Sequence, residues 1–361
     1  MTTIDPRAQP ATARRLQRGV RRIAIVAPPW VPVPPPAYGG IEVIVALQAR
    51  VLAERGYEVT LIAAPGSVVD GVRCVTPLDD VPPTIGNADS EWEHALAAYE
   101  LTEGHDVIVD HMGALSALVH GEGATPVLHV THGELHELAQ TAYTLVARRS
   151  KSVRYVAISR AQRDSAPELP FIGVCHNAID CTPIPHGDGS GGYLAFLGRM
   201  APEKGATEAI EIARRAGVQL RIAAKCREPD EERYFDEHVA PHLGDDVVWL
   251  GEIGAEAKYE LLGDATAMVF PISWPEPFGM VMVESMACGT PVLATPCGAV
   301  PEVLRDGVTG VIGDLDDLVA AVPAVGRFSR EACRAHVETA FGPERYLASW
   351  EAVLARVHPP G

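Results

Sequence analysis

Short apolar runs alternate along this chain with stretches of helical period, and the alternation happens twice. Ile23 to Ala27 reads as a buried strand. A proline-rich loop follows, then Gly39-Gly40 and a helix-period segment from Ile41 to Glu54 that Gly56 ends, and Val59 to Ala64 forms the next strand. Further strands are expected at Val107–Val109, Val127–Val130, Val153–Ile158 and Phe171–Val174. Apolar, β-branched strands between helices predict a parallel sheet covered on both faces. Around residues 179–192 the pattern breaks into a Pro- and Gly-rich stretch, which places a linker at 181–192. The alternation then restarts, with strands at Tyr193 to Leu197, Leu220 to Ala224, Val247–Leu250, Ala267–Phe270 and Pro291–Ala294, and a helix from Glu203 to Ala216. The last segment, Pro343 to Val357, carries Tyr346, Leu347, Trp350, Val353 and Leu354 at helical spacing. Two doubly wound α/β halves joined by a linker place a ligand in the cleft between them.

The length supports this division, since 361 residues exceed the ~250–300 at which a single core stops growing. No apolar run approaches the ~18–20 residues of a membrane helix. The N-terminus carries Arg7, Arg14, Arg15, Arg18, Arg21 and Arg22 without a following apolar stretch. It reads as a flexible polar extension over residues 1–21, a transit peptide being the alternative. Seven scattered cysteines without a C-x-x-C pair fit a reducing compartment, and a cytoplasmic location is expected. The net charge of −17 argues against nucleic acid as a partner and against strong binding to an anionic membrane.

Three segments carry candidate chemistry. Glu276 and Glu284 flank Pro277-Phe278-Gly279-Met280. On one helix they would lie about 12 Å apart and on roughly one face, a separation that suits a hexose at one end and a ribose at the other. The amides of Phe278, Gly279 and Met280, at the helix start, would face a diphosphate between them. Gly198-Arg199 through Lys204-Gly205 follows a strand and presents two cations for a diphosphate, although Arg199 is equally placed to pair with a nearby carboxylate. Tyr38-Gly39-Gly40 is either a close approach to phosphate or a tight structural turn, and Trp30 and Tyr38 are candidates for an acceptor wall. Histidines end two strands of the first half, His111 after Asp110, and His129 and His132 in the next. His132 and His136 around Glu134 lack a third ligand and the H-E-x-x-H order, so no metal site is expected.

Together these segments resemble the retaining family-4 glycosyltransferases of the GT-B fold, from about Arg22 to Val357. The likeness rests on Glu276-x7-Glu284 and its continuation Ser285-Met286-Ala287-Cys288-Gly289-Thr290-Pro291-Val292. It extends to Gly298-Ala299-Val300-Pro301-Glu302-Val303, Asp306-Gly307-Val308-Thr309-Gly310, Val156-Ala157-Ile158-Ser159 and Asn177-Ala178-Ile179-Asp180. The resemblance implies two Rossmann-like domains facing across a cleft. The first would comprise residues 22–180, rejoined by 343–361 as the final helix crosses back to it, and the second residues 193–342.

The resemblance also implies transfer of a hexose from a nucleotide diphosphate sugar, UDP-linked by default, to a hydroxyl acceptor with retention of configuration and without a metal or other cofactor. Glu284 would hold the ribose, Arg199 and Lys204 the diphosphate, and Glu276 with the amides of Phe278, Gly279 and Met280 the sugar hydroxyls. Gly39 and Gly40 would approach the phosphate, and His132 would stand near the anomeric carbon. Lys225, where the family often has a glycine-bearing strand end, would touch phosphate or base. A sugar-nucleotide epimerase, a glycoside phosphorylase and a non-catalytic sugar-nucleotide binder are the competing readings.

Overall fold

The structure is a computed structural model that describes residues 20–36, 39–114, 116–120 and 123–357. Tyr38 and most of the Arg-rich N-terminal extension lie outside the described residues. The extension ends earlier than expected: Val20 is buried in the core, and the amides of Arg21 and Arg22 both donate to Asp106 Oδ2 at 2.8 Å.

Two all-parallel sheets organise the chain. The first contains β1 (Arg22–Val26), β2 (Glu58–Ile62), β3 (Arg73–Val75), β4 (Val107–Asp110), β5 (Val127–Thr131), β6 (Val153–Ala157) and β7 (Phe171–Val174), in the order β3-β2-β1-β4-β5-β6-β7. The second contains β8 (Tyr193–Arg199), β9 (Gln219–Lys225), β10 (Val247–Gly251), β11 (Ala267–Phe270), β12 (Val292–Ala294) and β13 (Gly310–Ile312), in the order β10-β9-β8-β11-β12-β13. Both follow the doubly wound order 3-2-1-4-5-6, the first with one strand added. The central strands are buried on both faces, as helices on either side of a parallel sheet require: Ile23 to Val26 and Val107 to Val109 are all inaccessible.

Helices α1 (Gly40–Arg55), α2 (Ala88–Glu100), α3 (Glu137–Arg149) and α4 (Arg160–Asp164) cover the first sheet. Helix α1 stops where Gly56 turns left-handed at φ 102°, its amide closing onto Ala53 and Leu52. In the second half follow α5 (Ala206–Ala216), α6 (Pro229–Tyr234), α7 (Ala255–Asp264), α8 (Met280–Ala287), α9 (Val300–Val303), α10 (Leu315–Ala321), α11 (Arg330–Phe341) and α12 (Pro343–Val357). Two expected helices begin later than read. Pro202–Lys204 is a single 3₁₀ turn, because Gly205 adopts φ 78° and α5 starts only after it. Helix α8 begins at Met280 after Gly279 at φ 83°, so Glu276 precedes the helix and shares no helical face with Glu284. The prolines on either side of Glu276 favour extended backbone there, against a helix.

Between β7 and β8 the chain runs without helix or strand. Its second half is stitched to the second sheet's domain. The amides of Gly187, Gly189 and Gly191 donate to the carbonyls of Cys288, Gly263 and Asp264 at 2.9–3.0 Å. The Arg330 guanidinium bonds the Gly187, Gly263 and Ala265 carbonyls from the other side. A Cβ at Gly187 would sit 2.1 Å from the Gly263 carbonyl oxygen, so this close approach requires glycine.

The final helix returns to the first sheet. Helix α12 packs on α1 and β7, with Tyr346, Trp350, Val353 and Leu354 buried and Arg55 Nε 2.8 Å from Glu351 Oε1. The first sheet's domain is therefore closed by residues from the far end of the chain. Trp350→Ala should lower the unfolding free energy by about 3–5 kcal/mol. The exposed Arg345→Ala on the same helix should change it by less than about 0.5 kcal/mol. Urea denaturation of the two variants checks both.

Candidate active site

In a doubly wound sheet the strand order reverses at one place, and the loops leaving the two strands there diverge to open a crevice. Here the switch points lie between β1 and β4 in the first sheet and between β8 and β11 in the second. The segments that leave β1, β8 and β11 carry Gly39-Gly40, Arg199-to-Lys204 and Trp274-to-Gly279, and all of them line one cavity of about 610 Å³ between the two sheets. His132, just past β5, reaches the same cavity, as does Glu284 from α8. Of the residues picked out in the sequence, Arg199, Lys204, Glu276, Phe278, Gly279, Met280, Glu284, Gly39, Gly40, His132, Lys225 and Trp30 all line it. Phe278 does so through its backbone: its ring is buried against His176 and Phe341. His136 does not line the cavity; it caps α3, its Nδ1 accepting from the Ala139 amide.

Among the described residues, every lysine and arginine lining the cavity is already paired. Lys204 Nζ lies 2.7 Å from Glu276 Oε2, with only 15% and 11% of the two side chains exposed. Trp274 braces this pair twice. Its indole Nε1 donates to the same Glu276 oxygen at 3.0 Å, and its ring lies 4.1 Å beneath Lys204 Nζ. Gly205 brings the two loops together: a Cβ there would stand 2.2 Å from the Pro271 carbonyl oxygen, so the turn after β8 packs directly on the loop after β11. Lys258, on α7, pairs with Glu284 at 2.6 Å. Arg199 is the most exposed of the set. It bonds Glu203 at 2.7 Å and stands 3.9 Å from Glu231, the carboxylate pairing the sequence left open. Lys225 bonds Glu228 and Glu231 at 2.8 and 3.1 Å.

His132 is held by a buried chain of side chains. Its Nε2 is 2.8 Å from His111 Nδ1, and His111 Nε2 is 2.6 Å from Gln48 Oε1. A carbonyl oxygen only accepts, so His111 Nε2 carries the hydrogen. Burial drives His111 well below the ordinary histidine range, with His132 as the next contribution, so its Nδ1 is a bare lone pair. His132 Nε2 must then donate, leaving His132 Nδ1 as an acceptor. Burial first and the nearby His129 second push His132 down to about 3. A separate network beneath it joins Asp110 to His129 at 3.1 Å and to the Tyr99 hydroxyl at 2.8 Å.

The sequence reading missed Lys258, Trp274, Glu42 and Gln48. Trp274 sits two residues before Glu276 and Glu42 two after Gly40, close enough to have been marked. Lys258 and Gln48 lie mid-helix and reach the site only through the folding of distant segments, with no local signal.

Residues 38–182 match the family model of glycosyltransferase family 4, and residues 188–329 match that of the glycosyl transferases group 1. The D-inositol 3-phosphate glycosyltransferase of Mycobacterium marinum is 25% identical over 92% of this chain and 83% of its own length. Among solved structures, AviGT4, a glycosyltransferase involved in avilamycin A biosynthesis, superposes with a TM-score of 0.68 at 24% identity, over 94% of this chain and 99% of that one. HepE from Anabaena, solved with UDP-glucose, superposes with a TM-score of 0.70 at 16% identity, over 93% of this chain and 99% of that one. The two structures share the two-domain GT-B fold.

The low pKa of His132 sets a direction with pH. Between the unfolded value of 6.5 and about 3 the unfolded state binds more protons at this position, so its contribution to stability is full above 6.5 and falls away as pH drops. The imidazole resonances of His132, followed by NMR, should stay at their neutral positions from pH 8 down to pH 5. A midpoint near 6.5 would contradict the buried chain.

Proposed function

Because the chain belongs to the family-4 glycosyltransferases of the glycosyl transferases group 1, we propose that its cleft holds a nucleotide diphosphate sugar and passes the hexose to a hydroxyl acceptor with retention of configuration. The donor is taken to be UDP-linked, in line with the UDP-glucose in the HepE structure. One observation carries this reading: two lysine–glutamate pairs, Lys204–Glu276 and Lys258–Glu284, stand in one cavity beside the N-terminus of α8. Carboxylates suit diols, while lysines and helix amides suit phosphates, and here the two kinds alternate along the cleft.

The pairing explains how such a cleft stays stable when empty. A half-buried charge is costly unless compensated, and each lysine is compensated by the carboxylate beside it. On binding, Lys204 would turn to a phosphate oxygen, and Glu276 would exchange its lysine for sugar hydroxyls, together with the amides of Phe278, Gly279 and Met280. Arg199 would join Lys204 on the diphosphate. Glu284 would accept the ribose hydroxyls, with Lys258 holding its carboxylate in place. Gly39 and Gly40 open α1 without side chains to obstruct the phosphate.

For the chemistry, the bond between the anomeric carbon and the leaving phosphate oxygen breaks as the acceptor oxygen bonds to the same face. The acceptor proton passes to the departing phosphate oxygen. Lys204 and Arg199 stabilise the charge that gathers on the leaving group. His132 lines the reacting face with its bare Nδ1, a fixed acceptor for a sugar hydroxyl. Two cations and the helix amides supply the neutralisation, so the reaction is proposed to need no metal.

Lys204→Ala should lower kcat by about 10²–10³-fold, as loss of one preorganised charge at a leaving group does, in steady-state assays with UDP-sugars. Glu284→Ala should instead raise donor KM by about tenfold or more at similar kcat, the cost of a charge-assisted hydrogen bond. An unchanged KM would remove the ribose assignment. Product NMR should show the donor's anomeric configuration retained, and EDTA should leave the rate unaltered.

A further inference from the structure

One segment of the second sheet's domain reaches across to the first. Gly298-Ala299-Val300-Pro301-Glu302-Val303 follows β12 and forms a turn and the short helix α9. At one end it lies on the backbone of Glu276. The Ala299 amide donates to the Glu276 carbonyl at 2.9 Å, and a Cβ at Gly298 would stand 2.3 Å from both the amide nitrogen and the carbonyl oxygen of Glu276. At the other end Glu302 meets the first sheet's domain. Its Oε1 accepts from the Ala161 amide at 2.6 Å and its Oε2 from the Arg160 amide at 3.0 Å, two first-turn amides of α4 that have no partner within that helix. His176, just past β7, brings its Nε2 to 2.9 Å from the same Oε2. Only 12% of the Glu302 side chain is exposed. Burial works against its charge, yet the bonds from His176 and the two amides hold its carboxyl below the ordinary range. The His176 ring in turn lies against Phe278, with ring centroids 6.0 Å apart. Neither Glu302 nor His176 lines the cavity.

We propose that Glu302 is a positioning residue: by clamping α4 and His176 of the first sheet's domain onto α9, it sets where Glu276 and the Phe278 amide stand toward the hexose. The inference rests on the glycosyltransferase reading of the cleft. The groups given there to the hexose sit on the loop after β11. That loop is supported from behind by the Gly298 turn on one side and by the His176 ring on the other. One carboxylate joins the two supports. The groups given to the diphosphate and the ribose lie on other elements: Arg199 and Lys204 after β8, Lys258 on α7 and Glu284 on α8. Loss of the clamp would therefore be felt at the hexose before the nucleotide, since catalytic and binding geometry is lost over shifts of about 1 Å. A carboxylate that merely glued the domains together would affect both parts of the donor alike.

The test compares UDP with UDP-glucose, each titrated calorimetrically into the unaltered protein, Glu302→Ala and Glu302→Gln. Glu302→Ala should bind UDP as the unaltered protein does but lose about tenfold or more in affinity for UDP-glucose, the effect of misaligned charge-assisted hydrogen bonds to the sugar. Glu302→Gln, which keeps one accepting oxygen for the α4 amides, should recover part of that loss. Equal losses for UDP and UDP-glucose would mark a purely structural role and overturn the proposal, as would two unchanged affinities in Glu302→Ala. Should Glu302→Ala show no cooperative thermal unfolding, Glu302→Gln decides by the same comparison. UDP is titrated first into the unaltered protein. Its failure to bind would remove the donor reading itself, whereas UDP binding with the same preference in every variant would remove only the positioning role of Glu302.

Discussion

The arrangement of this protein turns on the contact between Lys204 and Glu276. The two residues are far apart in the chain and belong to loops leaving different strands, β8 and β11, yet their charged atoms meet at 2.7 Å at the edge of the cleft. Neither group is well solvated, so each depends on the other when no ligand is present. Removing one would strand a charge, whereas a phosphate beside the ammonium and a diol beside the carboxylate would leave the one paired and the other hydrogen-bonded. Trp274 tightens this dependence by bonding the carboxylate and stacking under the ammonium.

The fold supplies the conditions for that contact. Strand order reverses between β8 and β11, so their exits diverge and leave room for a ligand. Gly205 then allows the turn after β8 to lie on the backbone of Pro271, a proximity no other residue permits. The opposite wall comes from the corresponding switch point of the first sheet, and α12, which packs on α11 of the second half, also packs on α1 and β7 of the first. The same device appears at Lys258 and Glu284, so the lysines and carboxylates of the cleft are matched in pairs.

Much of this was legible along the chain. The strands at Ile23, Val107 and Val153 announced themselves as β-branched runs, because burial on both faces of a parallel sheet leaves no polar alternation. Arg199 and Lys204 stood out as two cations beside glycine just after a strand, and Glu276 and Glu284 as paired carboxylates around Pro277-Phe278-Gly279-Met280. The helix assumed from Glu276 to Glu284 failed on local grounds: two prolines and a left-handed Gly279 outweigh the apolar spacing that follows. Lys258, Gln48 and the carboxylates that hold Arg199 were not legible. Their roles depend on which helix faces which loop, information held in the packing of distant segments. Glu42 went unmarked in the sequence, and its burial beside the cleft sets it apart.

Whether the matched charges of the cleft grip a pyrophosphate is decided by titrating a ladder of uridine, UMP and UDP by calorimetry. A charge-assisted hydrogen bond contributes about 1.5–3 kcal/mol, so the second phosphate should tighten binding by about tenfold or more over UMP. Equal affinities for the three ligands would mean that Lys204 and Arg199 do not meet a diphosphate, and would contradict the donor role of the cleft.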